Sequence, residues 1–272
     1  ALAQLVIEAS SFPVADFRAL DKVQATCDGA APSFLCDLQG EELTLIAGKG
    51  VDYFFTPTGE LAAAFAKQQR GQNLNAYNID ANTNLVPFDA TIPGLALLVD
   101  GEYLAAQDAS GAWARNGDGL WVGSYTATYV GAAGEFEVER RVTLRNGVDT
   151  FDVALDVTRL SGDEPADVQL ATPGIGRTAN PTVKVGHGTT FTLNPPEQTF
   201  ADPSYVSLQQ NDNNRGFAIV MAPGATGDEL RGGYLRPNRV VFEASIPGGE
   251  GATAHVHASL YAGHNELVRY HK

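Results

Sequence analysis

Basic residues are scarce in this chain. It has 18 Lys and Arg against 32 Asp and Glu, a formal net charge of -14. Phosphate backbones need clustered cations, so nucleic acid is excluded as a partner, and electrostatic adhesion to anionic lipid is disfavoured. Long apolar runs are also missing. The longest uncharged one, residues 90–99, is broken by Pro93 and Gly94 and is too short to span a bilayer. The chain starts at Ala1 with no initiator Met, signal peptide or arginine-rich presequence, and the expectation is a soluble, excised fragment. There are 2 cysteines, Cys27 and Cys36. Their spacing fits no Cys-x-x-Cys redox or zinc motif, and no His stands close in sequence to complete a metal set. Two states stay open for them. One is a small-loop disulfide worth about 2–3 kcal/mol in an oxidising compartment, and the other is a pair of buried thiols. Gly48-Lys49-Gly50 is not a phosphate loop, and there is no Gly-x-Ser-x-Gly elbow or Cys with a spaced His. The carboxylates are scattered, so no acid/base pair stands out. No catalytic residue, cofactor or bound metal is expected.

What is present points to strands. The 272 residues are 44% hydrophobic, with 29 Gly and 14 Pro, enough for a large core with many turns. The clearest stretch is Glu135 to Leu160, two alternating runs joined at Asn146-Gly147, the strongest short hairpin signal. With those two residues as the turn, Val142 faces Phe151, Val138 faces Leu155 and Phe136 faces Val157. One face then carries Phe136, Val138, Val142, Leu144, Phe151, Val153, Leu155 and Val157. The other carries Glu137, Glu139, Arg141, Thr143, Thr150, Asp152 and Asp156, with Arg141 opposite Asp152. Arg140 is a misfit on the apolar face, read as a side chain snorkelling near an edge, with a functional buried charge as the other reading.

Strands are also expected at Leu2–Ala9 (an edge), Glu42–Ala47, Val51–Thr56 and the start of Gly59–Arg70. The cysteine segment and Gly71–Asp89 read as loops, the latter rich in Asn, Gln and Asp. Further strands follow at Leu95–Val99, Tyr103–Ala106, Leu120–Val130, Val168–Thr172, Thr182–Val185 and Thr189–Leu193. Asn194–Ser204 reads as a proline-bearing loop, and strands return at Val206–Gln209, Gly216–Met221, Arg239–Ile246 and Ala252–Tyr261. The total is roughly fifteen to eighteen short strands without a sequence repeat, which fits a large antiparallel β-sandwich better than a propeller. Residues 1–262 form that sandwich. Residues 263–272 begin an amphipathic helix through Leu267, Val268 and Tyr270.

Two sets of side chains carry candidate chemistry. Trp121, Tyr125 and Tyr129 recur every four residues and so share a strand face. Such a row serves either as a stacking platform for a sugar or peptide or as ordinary sheet packing. His255 and His257 share a face two residues apart, the spacing of β-sandwich metal sites. Glu243, His187 and His264 would be further ligands by residue type only. The favoured account of the pair is two polar residues on a solvent-facing strand.

The segment Ser259–Tyr270, SLYAGHNELVRY, resembles the junction in YidC-type membrane protein insertases where the last strand of the large periplasmic domain enters an amphipathic helix. Leu260, Tyr261, Gly263, Leu267 and Tyr270 match that pattern, while His264 and Asn265 replace the family's Pro-Lys. The hairpin, Phe136–Leu144 with Phe151–Val157, is similar to a Phe-x-Val-x-Arg-x-Val-x-Leu segment of the same family. The resemblance implies a galactose-mutarotase-like supersandwich with a short C-terminal helix, lying on the periplasmic face of the bacterial inner membrane as part of a multi-pass protein. It also implies a non-catalytic role, with the Sec accessory subunits SecD and SecF and client membrane proteins as partners, and a Leu267, Val268, Tyr270 face that docks back on the sandwich. The rival expectation is a secreted carbohydrate-binding or aldose-epimerase-like sandwich. The Asn-His-x-Tyr-Phe-Asn-Leu type segment of aldose 1-epimerases is missing from this chain.

Overall fold

Alternating apolar and polar residues divide this chain into short strands, and the faces they create dictate how the sheets stack. A computed structural model describes residues 3–7, 23–30, 33–38, 41–47, 51–66, 88–89, 94–115, 120–145, 148–172, 174–175, 182–212, 215–224, 230–235 and 239–264. The first strands are β1 (Ala3–Ile7), β2 (Val23–Ala30), β3 (Ser33–Leu38), β4 (Glu41–Ala47), β5 (Val51–Phe55) and β6 (Leu61–Ala66). They are followed by β7 (Phe88–Asp89), β8 (Ala96–Val99), β9 (Glu102–Tyr103), β10 (Ala106–Arg115), β11 (Leu120–Gly131) and β12 (Gly134–Arg145). Next come β13 (Phe151–Ser161), β14 (Ala166–Ala171), β15 (Gly174–Ile175), β16 (Thr182–His187), β17 (Thr190–Leu193) and β18 (Gln198–Ala201). The last are β19 (Tyr205–Asp212), β20 (Arg215–Pro223), β21 (Arg231–Leu235), β22 (Arg239–Ile246) and β23 (Thr253–His264).

These strands build an all-β, antiparallel sandwich. One layer is a nine-stranded sheet in the order β10-β11-β12-β13-β23-β20-β19-β16-β17. The facing layer is a six-stranded sheet, β18-β21-β22-β14-β8-β9. A meander of β1 to β6 forms a further sheet, joined to the start of β8 by paired backbone hydrogen bonds between Leu61 and Gly94. The three sheets share one core. Val142, Val153, Leu155 and Val256 come from the long sheet, Val168, Leu170, Val240 and Phe242 from the facing sheet, and Tyr53, Phe55 and Leu61 from the meander. All of these are 0–1% exposed, and fully burying a side chain of this size contributes roughly 1.5–3 kcal/mol. Tyr53 and Phe55 pack edge-on against Phe151, with ring centroids 4.8 and 5.5 Å away. The Tyr53 hydroxyl donates to the Asp149 carbonyl at 2.6 Å and accepts from the Ala262 amide at 3.3 Å, so the meander is fastened to the long sheet.

The hairpin faces are those read from the alternation, but the register is not. Val142 pairs with Val153, Leu144 with Phe151, Val138 with Val157 and Arg141 with Ala154, while Asp152 stands opposite Thr143. Every partner lies two residues farther along than a tight Asn-Gly turn requires, because the connection between β12 and β13 is longer than two residues. An even shift keeps every side chain on its own face. The strand count exceeds the expectation as well. The cysteine segment is the β2–β3 hairpin, β10 occupies Ala106–Arg115, β18 falls inside the proline-bearing stretch, and β21 was not foreseen. β23 continues to His264, past the expected boundary at residue 262. The expected helix, with Leu267, Val268 and Tyr270, lies outside the described residues.

Arg140 does not snorkel. It is 2% exposed and reaches from β12 into the turn between β5 and β6. Its Nη1 donates to the Thr58 carbonyl at 2.7 Å and its Nη2 to the Tyr129 hydroxyl at 3.2 Å, with Glu60 Oε1 at 3.9 Å. Glu60 is buried too; its Oε2 accepts from the Thr58 hydroxyl at 3.2 Å and its amide donates to Thr56 Oγ1 at 3.0 Å. Burial holds the Glu60 carboxyl above its usual range, with the nearby Arg140 charge opposing the shift. The cluster clamps the meander to the long sheet.

Candidate functional site

The aromatic row lies on the inner face of β11. Register with β12 sets Trp121 opposite Leu144, Tyr125 opposite Arg140 and Tyr129 opposite Phe136, which is the core side. Tyr125 is 5% and Tyr129 1% exposed, and Trp121 packs against the core. Tyr125 also packs edge-on to Trp113 at 6.5 Å. Burial raises the Tyr125 phenol well above its usual range, raises that of Tyr129 as well, and moves the half-buried Tyr103 to about 12. Tyr125 and Tyr129 are sheet packing, and a three-ring stacking platform is corrected on that ground: two of its rings are closed inside the core, and Trp121 is partly buried against it. The Gly131–Gly134 turn that follows β11 was the signal in the sequence, because pairing across it brings Tyr129 onto the apolar face of Phe136.

Cys27 and Cys36 are direct register partners across β2 and β3. Opposite residues in an antiparallel pair have Cα atoms about 4.5–5.5 Å apart, within the span of a disulfide.

His255 and His257 point outward from β23, as their spacing requires. His255 Nδ1 lies 2.7 Å from Asp156 Oδ1, its cross-strand partner on β13. His187 is on β16, with β19 and β20 between its strand and β23, and its ring packs edge-on to Phe200 at 5.8 Å. Among the described residues no group of three or more His, Cys, Asp or Glu could hold a metal ion.

Two features that the sequence reading did not single out are open to a partner. The first is β17, the outermost strand of the long sheet. All four of its residues are exposed, Phe191 at 55% and Leu193 at 53%. The Lys184 amine sits over the Phe191 ring, 5.5 Å from its centroid. One edge of β17 pairs with β16, and among the described residues no strand pairs with the other, the kind of edge that can accept an added strand. The second is a cleft of mixed polar and apolar lining, about 440 Å³, where β21 and β22 of one layer meet the start of β23 in the other. Its walls include Asp202, Arg231, Glu243, Ser245, Thr253 and His255. Glu243 was named from the sequence only as a possible metal ligand. Here it is a buried anchor, accepting from Gln169 Nε2 at 2.8 Å and Thr199 Oγ1 at 2.6 Å and paired with Arg231 Nη1 at 3.2 Å.

No family model matches the chain, and no curated protein matches it. Solved structures resemble it in fold. The α-galactosidase from Lactobacillus brevis is 12% identical with a TM-score of 0.43, covering 83% of this chain and 40% of its own. A putative aldose 1-epimerase from Escherichia coli K12 is 13% identical with a TM-score of 0.38, covering 82% and 99%. A galactose mutarotase-like protein from Clostridium acetobutylicum is 10% identical with a TM-score of 0.39, covering 82% and 96%. The chain therefore spans about 40% of the length of that galactosidase. At these identities and scores the likeness is to an all-β sandwich architecture and carries no argument about chemistry.

Proposed function

We propose that this sandwich is the non-catalytic periplasmic domain of a YidC-like membrane protein insertase, assisting insertion and folding of inner-membrane proteins through protein–protein contacts. The observation that carries the reading is the β17 edge, which no strand among the described residues pairs with, and where the exposed Phe191 and Leu193 suit strand addition by an extended polypeptide. The net charge of -14 favours a partner segment carrying Lys or Arg and opposes pairing of two copies of this chain. The Ser259–Tyr270 resemblance supplies the partner class, the periplasmic parts of SecD and SecF or a client segment. The cross-strand cysteines suit an oxidising compartment. The test is a binding titration of the domain against the isolated periplasmic domains of SecD and SecF. At least one should bind, and Phe191→Lys with Leu193→Lys should abolish it. Binding to neither counts against the insertase reading, and binding untouched by the double variant counts against the edge.

A second reading, a carbohydrate-binding or aldose-epimerase-like sandwich, is favoured by one specific observation, the cleft of mixed lining where β21, β22 and β23 meet. Both Glu243 oxygens are engaged within the protein, which supports binding over acid–base catalysis there. Calorimetric titration with simple sugars separates the two readings.

A further inference from the structure

The β16–β17 hairpin fixes which backbone groups β17 turns outward. In an antiparallel pair, residues that exchange both backbone hydrogen bonds with the partner alternate with residues whose N–H and C=O point the other way. Two contacts set the phase here. The Asn194 amide donates to the Val183 carbonyl at 2.8 Å, one pair beyond Lys184–Leu193. The Gly186 carbonyl accepts from the Ser204 amide at 2.9 Å, on the β19 side of its strand. Val185–Thr192 and His187–Thr190 are therefore the bonded pairs of the hairpin. Lys184 and Gly186 turn toward β19, and their partners Leu193 and Phe191 turn N–H and C=O away from β16. No strand among the described residues pairs with that side of β17. The residues with outward backbone groups are thus the two with large exposed side chains, Phe191 and Leu193.

Alternating donors and acceptors along an edge select another backbone as partner. A strand added antiparallel, as β16 pairs with β17 and with β19, sets one residue opposite Phe191 and another opposite Leu193, each exchanging two hydrogen bonds. Their side chains stand on the face that carries Phe191 and Leu193, and the single residue between them falls on the face of Thr192. Cross-strand pairing then favours apolar residues at the two outer positions and a Thr or Ser at the middle one. The paired length is short. At one end β17 follows the Gly188-Thr189 turn, and at the other Asn194 takes a φ of 46° and is followed by Pro195-Pro196, which offer no N–H. Lys184 is the one Lys, Arg, Asp or Glu in the hairpin, and its amine already sits over the Phe191 ring, so the paired residues themselves need no charge. The selection by charge comes from the chain as a whole. Its net -14 favours Lys or Arg on either side of the paired residues and disfavours a second copy of this chain.

We propose that β17 takes an extended segment of another protein with the pattern apolar, polar, apolar between basic flanks, paired antiparallel through the backbones of Phe191 and Leu193. The proposal rests on the edge reading above and adds to it a register and a sequence pattern. The probe is a synthetic peptide, acetyl-Lys-Lys-Val-Thr-Val-Lys-Lys-amide, titrated into the isotope-labelled whole chain and followed by amide NMR. Without peptide, the Phe191 and Leu193 amides should exchange with solvent faster than those of Thr192 and Asn194, which bond to β16. Added peptide should shift and protect the Phe191 and Leu193 amides. N-methylation of the two valine amides, which face β17, should weaken binding by roughly tenfold or more, since each methyl removes a hydrogen bond. N-methylation of the threonine amide, which points away, should change it by less than about threefold. Absence of peptide binding, or equal losses from the valine and threonine methylations, would overturn the site. So would sedimentation of the chain alone as a dimer that Phe191→Lys with Leu193→Lys dissociates, because a second copy would then close the edge. The periplasmic domains of SecD and SecF are titrated into the same labelled sample. If they bind without shifting the Phe191 and Leu193 amides, the insertase reading stands and this site falls. If the peptide binds in this register and neither domain binds, the site stands and the insertase reading falls.

Discussion

Replacing Arg140 with Met tests the clamp that joins the β5–β6 turn to the long sheet. The methionine fills most of the space of the aliphatic stem, so packing loss is small and the perturbation is electrostatic. Two acceptors lose their donor, the Thr58 carbonyl and the Tyr129 hydroxyl, and the Glu60 carboxylate loses its counter-charge. Breaking a buried ion pair from one side costs about 3–5 kcal/mol, because the remaining charge stays buried without compensation. For a domain of this size that corresponds to a melting temperature lower by roughly 10 °C. The pH dependence identifies the cause. Burial raises the Glu60 carboxyl above its usual 4.5, so between that value and the raised one the folded state holds more protons than the unfolded chain. The stability from this group is therefore fully present below 4.5 and is lost as the pH rises through the folded value. Without Arg140 the opposing charge is gone and the carboxyl rises further. The variant should then be less destabilised at about pH 5 than at about pH 8, because Glu60 takes up a proton as the pH falls and the uncompensated charge is relieved. Urea unfolding followed by circular dichroism at both pH values measures this, and Arg140→Met with Glu60→Gln should recover most of the loss. A penalty equal at the two pH values, or one below about 1 kcal/mol, would refute the clamp.

Three other outcomes are expected. Thiol titration of unfolded, non-reduced protein from an oxidising compartment should find no free thiol, and reduction should lower stability by about 2–3 kcal/mol; two titrating thiols would remove the Cys27–Cys36 bond. Spectrophotometric titration of the 9 tyrosines should show Tyr103, Tyr125, Tyr129 and Tyr261 ionising late, since burial raises all four, and nine phenols ionising together near pH ~10 in the folded protein would contradict their burial. Phe191→Lys with Leu193→Lys should change unfolding free energy by no more than about 0.5 kcal/mol per site, because both side chains are exposed. A large loss would mean the edge is structural.

The alternation in β12 and β13 made the inner and outer faces of the hairpin legible. It did not reveal the register, because a shift of two residues leaves the same side chains on the same faces. Turn length decides between the two pairings, and Asn146-Gly147 names a favoured turn without requiring it. Strands β2 and β10 escaped notice for a different reason. VQATCDGA and AQDASGAWAR are rich in Ala, Gly and Asp, residues with poor strand propensity, and they exist as strands because neighbours pair with them, β1 and β3 with β2, and β11 along the length of β10.

Arg140 and Glu243 illustrate why sites are harder to read than faces. Each is conspicuous in its own strand, a charge among apolar neighbours, yet its meaning lies in residues far away along the chain. Arg140 is explained by Thr58 and Glu60, brought to it by the meander. Glu243 is explained by Gln169, Thr199 and Arg231, from three other strands of its own sheet. The aromatic row was more tractable, since the turn after β11 already assigned Tyr129 to the side of Phe136. Its burial matters for function. With Tyr125 and Tyr129 closed inside the sandwich, the surfaces among the described residues left to the proposed readings are the edge at β17 and the cleft at β21, β22 and β23. An edge offers backbone and suits an extended polypeptide, whereas a cleft suits a compact molecule. The two surfaces therefore call for different partners, and substitutions confined to one should leave binding at the other intact.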